Sequence, residues 1–142
     1  MDRTIKFRGK SIYDEKWQYG SLVKIEKDRY AVIPSLNDIE IGKSIGMYEV
    51  CLETIGQFTG LYNRNGEEIY EGDIISVNGK YPKIVKYIDE YACFCLANIS
   101  DLNKKWMYPW QQVSPGWWID HKREIRVVAN IYDHPELIKE EL

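Results

Sequence analysis

The sequence predicts a mainly β protein, a small antiparallel barrel or sandwich with a short helix at its C-terminus. Apolar and polar residues alternate in many short segments, which is typical of half-buried strands. Turn-forming residues separate these segments. Aromatic residues make up 13% of the chain, including 11 tyrosines and 5 tryptophans, and such residues favour strands. The pair Gly72-Asp73 before a strand makes an SH3-like barrel one possible form, by analogy at the level of the fold.

Four strands are predicted in the first third of the chain. They cover residues 4–8, 17–25, 30–33 and 48–52. Gly20 lies inside the second strand, where a glycine often marks a bulge or a close approach of two backbones. Pro34 ends the third strand, and residues 34–47 are predicted as a loop because Pro, Asn and Gly recur there.

A hairpin is the firmest local prediction. Residues 58–62 and 67–70 flank the turn Asn63-Arg64-Asn65-Gly66, whose Asn and Gly tolerate positive φ. Glu71-Gly72-Asp73 then turns the chain into the next strand. Further strands are predicted over residues 74–77, 83–88, 91–97 and 124–131, and residues 99–122 are predicted to be irregular.

The helix signal lies at the C-terminus. Asp133 and Glu136 have the spacing of a capping box, and Pro135 stands in the first turn, where its missing N–H matters least. A length of 142 residues suits one domain over residues 1–142, with 1–52 and 53–142 as an alternative division into subdomains.

Composition excludes several function classes. The net charge of -3 argues against tight, non-specific binding of nucleic acid, although residues 80–126 hold eight basic and five acidic side chains. No apolar run approaches the roughly 20 residues that cross a bilayer. Residues 1–6 are not followed by the apolar block of a secretory signal, so a cytoplasmic protein without a membrane partner is expected.

The three cysteines predict neither a disulfide framework nor a metal site. Cys93 and Cys95 would share one face of a strand, where two residues are poorly placed for a bridge. Cys51, His121 and His134 are isolated in the sequence, so a metal ion would lack ligands. We expect reduced cysteines packed as small apolar residues, and no cofactor.

Three sequence blocks carry a family resemblance, and they are residues 5–10 with 17–20, residues 56–74, and residues 129–137. They resemble the YopX family, whose members are found mainly in bacteriophages and prophages and have no characterised function. The blocks span nearly the whole chain in the family's order, and the resemblance implies a mostly β fold and a phage or prophage setting. Because the family has no characterised activity, the resemblance implies no catalytic residue in this chain. One departure is Ala129, where the family often has Gly, and it indicates ordinary strand backbone.

No catalytic motif is recognisable, so we do not expect an enzyme. A phosphate-binding glycine loop, a nucleophile elbow and a metal-binding His-Glu-x-x-His helix are all missing from the sequence. The hairpin tip could touch a partner, but its glycines and apolar residues favour a structural role. The carboxylates of Glu67, Glu68, Glu71 and Asp73 could bind a divalent ion or act as acid and base, but a solvated hairpin face is the preferred interpretation.

An aromatic and basic stretch is the candidate binding site. Four of the five tryptophans fall within 13 residues. If residues 106–110 are extended, three of the rings share one face. The candidate residues are Lys104, Lys105, Trp106, Tyr108, Trp110, Trp117, Trp118, Lys122 and Arg123.

Three interpretations of this stretch remain open. The rings could pack in the core or between subunits. They could bind a protein, since Trp, Tyr and Arg dominate interface hot spots. They could also stack on bases while the cations hold phosphates.

We expect a non-enzymatic interaction protein that binds a viral or host protein, with a small-barrel nucleic-acid-binding protein as the alternative. An enzyme whose site is assembled across the fold is a remote third, and a homo-oligomer is possible because exposed Trp and Tyr are better buried.

Overall fold

Alternation of apolar and polar side chains produces strands along most of the chain. The computed structural model describes residues 3–34 and 46–139. The strands there are β1 (Phe7–Lys10), β2 (Trp17–Glu26), β3 (Arg29–Ile33), β4 (Tyr48–Val50), β5 (Gly56–Tyr62), β6 (Glu68–Tyr70), β7 (Asp73–Val77), β8 (Lys80–Ile88), β9 (Cys93–Asn98), β10 (Gln111–Gln112) and β11 (Ile125–Asn130). The predicted mainly β class is confirmed. Most of the predicted loop, residues 35–45, lies outside the described residues.

The strands form two antiparallel sheets. One has the order β4-β3-β2-β1-β5-β6 and the other the order β10-β9-β8-β7-β11. Within the described residues neither sheet closes into a barrel. The chain divides into two compact units, Met1–Gly60 and Leu61–Leu142, with the division inside β5. The predicted alternative boundary after residue 52 stays a prediction.

The first unit is built around β1, β2 and β3. Gly9 is required where β1 approaches β4, because a Cβ there would lie 2.8 Å from the Cβ of Val50. The guanidinium of Arg8 lies 4.6 Å from the centre of the Trp17 ring. Ala31 and Val32 of β3 are fully buried and contribute to the apolar interior of this unit.

The second unit has apolar clusters on both faces of its sheet. On one face Ile75, Val85 and Leu96 pack together, and on the other Ile74, Ile84 and Ala97 do so. This follows from strand geometry, since neighbouring residues in a strand point to opposite faces. We call these the Ile75 face and the Ile74 face.

One short helix covers each face. Helix α1 (Pro115–His121) lies on the Ile75 face, where Trp118 joins the core. Helix α2 (Glu136–Lys139) lies on the Ile74 face through Leu137 and Ile138, which confirms the predicted C-terminal helix. The described residues contain no helix that is long and apolar enough to span a membrane.

Helix α1 corrects the prediction that residues 99–122 are irregular. The backbone N–H of Trp117 donates to the Ser114 side chain, 3.2 Å away, and Pro115 occupies the first turn. A serine cap followed by proline is an ordinary helix start, but the helix is only seven residues long. A helix of this length has little intrinsic stability and depends on packing of its tryptophans, which local sequence does not reveal.

We expect Ser114→Ala to lower the free energy of unfolding by about 1 kcal/mol, because the N–H of Trp117 loses its acceptor. Urea unfolding followed by tryptophan fluorescence measures this. Ser21→Ala is the matched control, since Ser21 is exposed in β2 and caps no helix. Equal losses in the two variants would contradict the capping role.

Candidate functional site

The hairpin that dominates the sequence is held by a buried asparagine. Asn63 is only 3% exposed. Its Oδ1 accepts from the N–H groups of Asn65 and Glu67, at 3.0 and 2.9 Å. Its Nδ2 donates to Glu67 Oε1 at 2.9 Å and to the carbonyl of Ile125 at 3.2 Å. Asn63 therefore closes the turn and ties it to β11, which is a structural role.

The turn Glu71-Gly72-Asp73 is a second structural junction. Gly72 has φ +93°, its N–H donates to the Val85 carbonyl at 2.8 Å, and its own carbonyl accepts from Ile131 at 2.9 Å. The ring of Tyr132 packs so closely that a Cβ on Gly72 would lie 2.7 Å from it. The turn thus joins two of the sequence blocks on which the family resemblance rests.

The predicted solvated face of carboxylates is wrong for Asp73. This residue is 2% exposed, and its Oδ2 accepts from the N–H of Tyr70 at 2.8 Å. Glu71 accepts from the N–H of Tyr87 at 3.1 Å, and Glu67 holds Asn63. The carboxylates satisfy backbone and amide donors because tight turns leave those donors without ladder partners. No group of three or more metal-ligating side chains occurs among the described residues.

The candidate tryptophans lie on opposite faces of the second sheet. Trp110 packs against the apolar cluster of the Ile74 face. Trp117 and Trp118 pack on the Ile75 face. The stretch that looked like a continuous aromatic site is therefore divided by the sheet.

The Ile75-face part of the stretch is largely structural. Trp118 is 6% exposed and belongs to the core, so it is withdrawn from the candidate surface. The Trp117 ring stacks on His121 with centroids 4.7 Å apart, and His121 Nδ1 lies 2.8 Å from the Trp117 carbonyl. Lys122 and Arg123 are exposed just after α1, where the Lys122 carbonyl accepts from the N–H of Arg64.

The other rings of the stretch are exposed or half-buried. The Tyr108 ring meets Tyr91 edge to face, with centroids 5.9 Å apart. The ammonium group of Lys86 lies 5.8 Å from the centre of the Trp110 ring. Trp106 is 78% exposed and Tyr108 is 55% exposed. We call Lys86, Tyr91, Trp106, Tyr108 and Trp110 the aromatic surface.

Sequence reasoning missed two members of this surface. Tyr91 and Lys86 lie outside the stretch 104–123 in sequence. The fold brings Tyr91 into contact with Tyr108, and Lys86 into contact with Trp110. Strand alternation could have placed Lys86 on the face of Ile84, but not beside Trp110. The condition that residues 106–110 are extended is also not met, because the N–H of Met107 bonds back to the Lys104 carbonyl in a turn.

Two charged groups near the aromatic surface, on Lys104 and Asp101, form an ion pair. Lys104 Nζ lies 2.8 Å from Asp101 Oδ1 and 5.8 Å from the Trp106 ring. The hydrogen bonds from Lys104 and Asn98 lower the pKa of Asp101, which keeps its carboxylate ionised. Partial desolvation, followed by the charge of Glu90, raises the pKa of Tyr108, so its phenol stays neutral at physiological pH. Lys105 is exposed beside this group.

The two cysteines of β9 lie side by side as reduced thiols. Cys93 and Cys95 are free, and their sulfur atoms are 3.9 Å apart. Burial, followed by a hydrogen bond with Cys93, raises the pKa of Cys95 to about 11. Because the thiolate is the reactive form, Cys95 is chemically quiet near neutral pH.

Comparison with known proteins identifies the family and the fold. The chain is similar to a crystal structure of protein EF1440 from Enterococcus faecalis, with 19% sequence identity and a TM-score of 0.60. The match covers 96% of this chain and 99% of that one. No curated protein matches the sequence. The model of the family described as YopX protein matches residues 6–139, and the chain therefore belongs to the YopX family.

Proposed function

We propose that this chain is a non-enzymatic interaction protein, encoded by a phage or prophage, that binds a viral or host protein in the bacterial cytoplasm. The aromatic surface is the proposed contact. The observation that carries the proposal is the exposure of two large rings, Trp106 and Tyr108, that are two residues apart in sequence. Large rings exposed together mark interaction sites more often than scattered apolar residues do.

The geometry of the rings suits an interface hot spot. Trp and Tyr bury large areas on binding, on the order of 150–250 Å² each. Tyr108 is braced by Tyr91, and Trp110 by Lys86, and such contacts restrict the rotamers of both side chains before binding. A braced side chain loses less conformational entropy when a partner covers it, which favours affinity.

Nucleic-acid binding has weaker support as the alternative. A base-stacking site needs cations that follow a backbone beside the rings. Lys122 and Arg123 instead follow helix α1, which lies on the Ile75 face, whereas Trp110 lies on the Ile74 face. Lys104 is paired with Asp101, which reduces the charge available to a phosphate.

Affinity capture from bacterial host lysate tests the proposal. We expect wild-type protein to retain a specific partner, and Trp106→Ala to weaken its binding about 30-fold, as loss of a hot-spot residue does. Because Trp106 is 78% exposed, the substitution leaves the fold intact. The purified pair is then measured by calorimetry at two salt concentrations.

Ile119→Ala is the matched control, since Ile119 is 72% exposed on helix α1. Retention of the same proteins by wild type and Trp106→Ala, or of none by either, would contradict the proposal. Capture of nucleic acid with binding that weakens steeply with salt would favour the alternative. Light scattering of the free protein distinguishes a second copy of this chain from a different partner.

A further inference from the structure

A groove on the Ile74 face lies between the sheet and helix α2. Its volume is about 810 Å³, within the usual range of small-molecule sites. Ile74 and Ile99 form part of its floor, and Leu137 and Val128 form part of its walls. None of the five residues of the aromatic surface lines it.

Ser76 contributes a buried hydroxyl group to the lining of this groove. Ile75 and Val77, its neighbours in β7, pack on the Ile75 face, so Ser76 points to the same side as Ile74. Ser76 is 5% exposed and lines the groove. Its Oγ has no hydrogen-bond partner among the described residues. A buried hydroxyl without a partner is unfavourable, and a bound polar group would relieve this.

The other residues that line the groove favour a neutral, mainly apolar ligand. The ten described residues that line the groove are all uncharged, and most are apolar. The amide of Asn98 is engaged on both sides, because its Oδ1 accepts from Lys83 and its Nδ2 donates to Asp101. A charged ligand would lose hydration there, and no residue in the described part of the lining would offer it a counter-charge.

We propose that the groove binds a neutral, mainly apolar small molecule whose single hydrogen-bonding group is held by the Ser76 hydroxyl. The apolar part lies along Ile74, Ile99 and Leu137. This site is separate from the aromatic surface, so the proposal for the groove can be correct even if the proposed protein contact is not, and the reverse is also true.

Amide NMR titration with 1-octanol, and with octanoate as its charged counterpart, tests the site. We expect saturable shifts for 1-octanol at Ile74, Ser76, Ile99 and Leu137, and at least tenfold weaker binding of octanoate. Ser76→Ala should weaken 1-octanol binding about fivefold, the effect of one lost hydrogen bond. Since the hydroxyl has no partner within residues 3–34 and 46–139, this variant is expected to keep its stability.

Val128→Glu provides the second test. Val128 is an exposed residue of the groove wall, so a carboxylate there should abolish 1-octanol binding without unfolding the chain. Ile119→Glu, on the other face of the sheet, is the matched control and should bind as wild type does. The proposal is overturned by non-saturable or scattered shifts, by equal affinity for octanoate, or by full affinity in Ser76→Ala or Val128→Glu.

Discussion

Replacing Asn63 by leucine is expected to lower the free energy of unfolding by about 4 kcal/mol. The side chain of Asn63 makes four hydrogen bonds, and leucine of similar size makes none. The N–H groups of Asn65 and Glu67 and the carbonyl of Ile125 would lose this partner. Each buried polar group left unpaired costs about 1–3 kcal/mol, and partial access of water to the turn keeps the total near the lower end. Urea denaturation measures the change.

Two further variants separate the Asn63 network from general disturbance of the turn. Asn63→Asp keeps the acceptor for both N–H groups but loses both donations and adds a charge beside Glu67, so an intermediate loss is expected. Asn65→Ala changes an exposed neighbour in the same turn, and its loss should stay below about 0.5 kcal/mol. A leucine variant as stable as Asn65→Ala would show that the network contributes nothing.

Gly72→Ala is expected to lower the free energy of unfolding by about 3 kcal/mol. Two effects add here. A non-glycine residue at φ +93° is strained by about 1–2 kcal/mol, and the new Cβ would lie 2.7 Å from the Tyr132 ring. The ring must move, and overpacking of this kind costs about 1–3 kcal/mol. Thermal and urea unfolding should agree on the loss.

Gly66→Ala separates the two effects. Gly66 has φ +80° in the hairpin turn, but a Cβ there meets no atom within 4 Å. Only backbone strain should appear, at about 1 kcal/mol. If the free energy of unfolding falls by the same amount in both glycine variants, the close contact with Tyr132 does not contribute to the loss in Gly72→Ala.

These two positions explain why the most recognisable part of the sequence is structural. Asn63 joins the hairpin to β11, and Gly72 joins the following turn to Tyr132. Both junctions need one particular residue type, because only an amide makes that set of bonds and only glycine fits that backbone. The aromatic surface and the groove beside Ser76, by comparison, place no such strict requirement on residue type.

Much of the fold was predictable from local pattern. Alternation predicted the strands, and Asn63 to Gly66 predicted the hairpin, because both depend on neighbours a few residues away. Helix α1 was missed because seven residues carry little periodic signal and its stability comes from Trp117 and Trp118 packing on the sheet. Asp73 was placed in solvent because its burial depends on a turn formed with Tyr70.

The candidate site was predicted only in part. Trp106, Tyr108 and Trp110 were expected together. The structure packs Trp110 on the Ile74 face and leaves Trp106 and Tyr108 exposed, but Trp118 is a core residue. Tyr91 and Lys86 joined the surface from other segments. The groove with Ser76 had no sequence signal, since a serine in an apolar strand is common and its missing partner is visible only in three dimensions.

By itself, the sequence determined the fold class, the hairpin, the C-terminal helix and the family. Each depends on local periodicity, turn chemistry or a long matching block. Only the tertiary structure decided which tryptophans are buried, which residues gather around Tyr108, and that Ser76 faces a groove. Those outcomes depend on contacts between residues far apart in sequence, and the two faces of a sheet separate side chains that are adjacent along the chain.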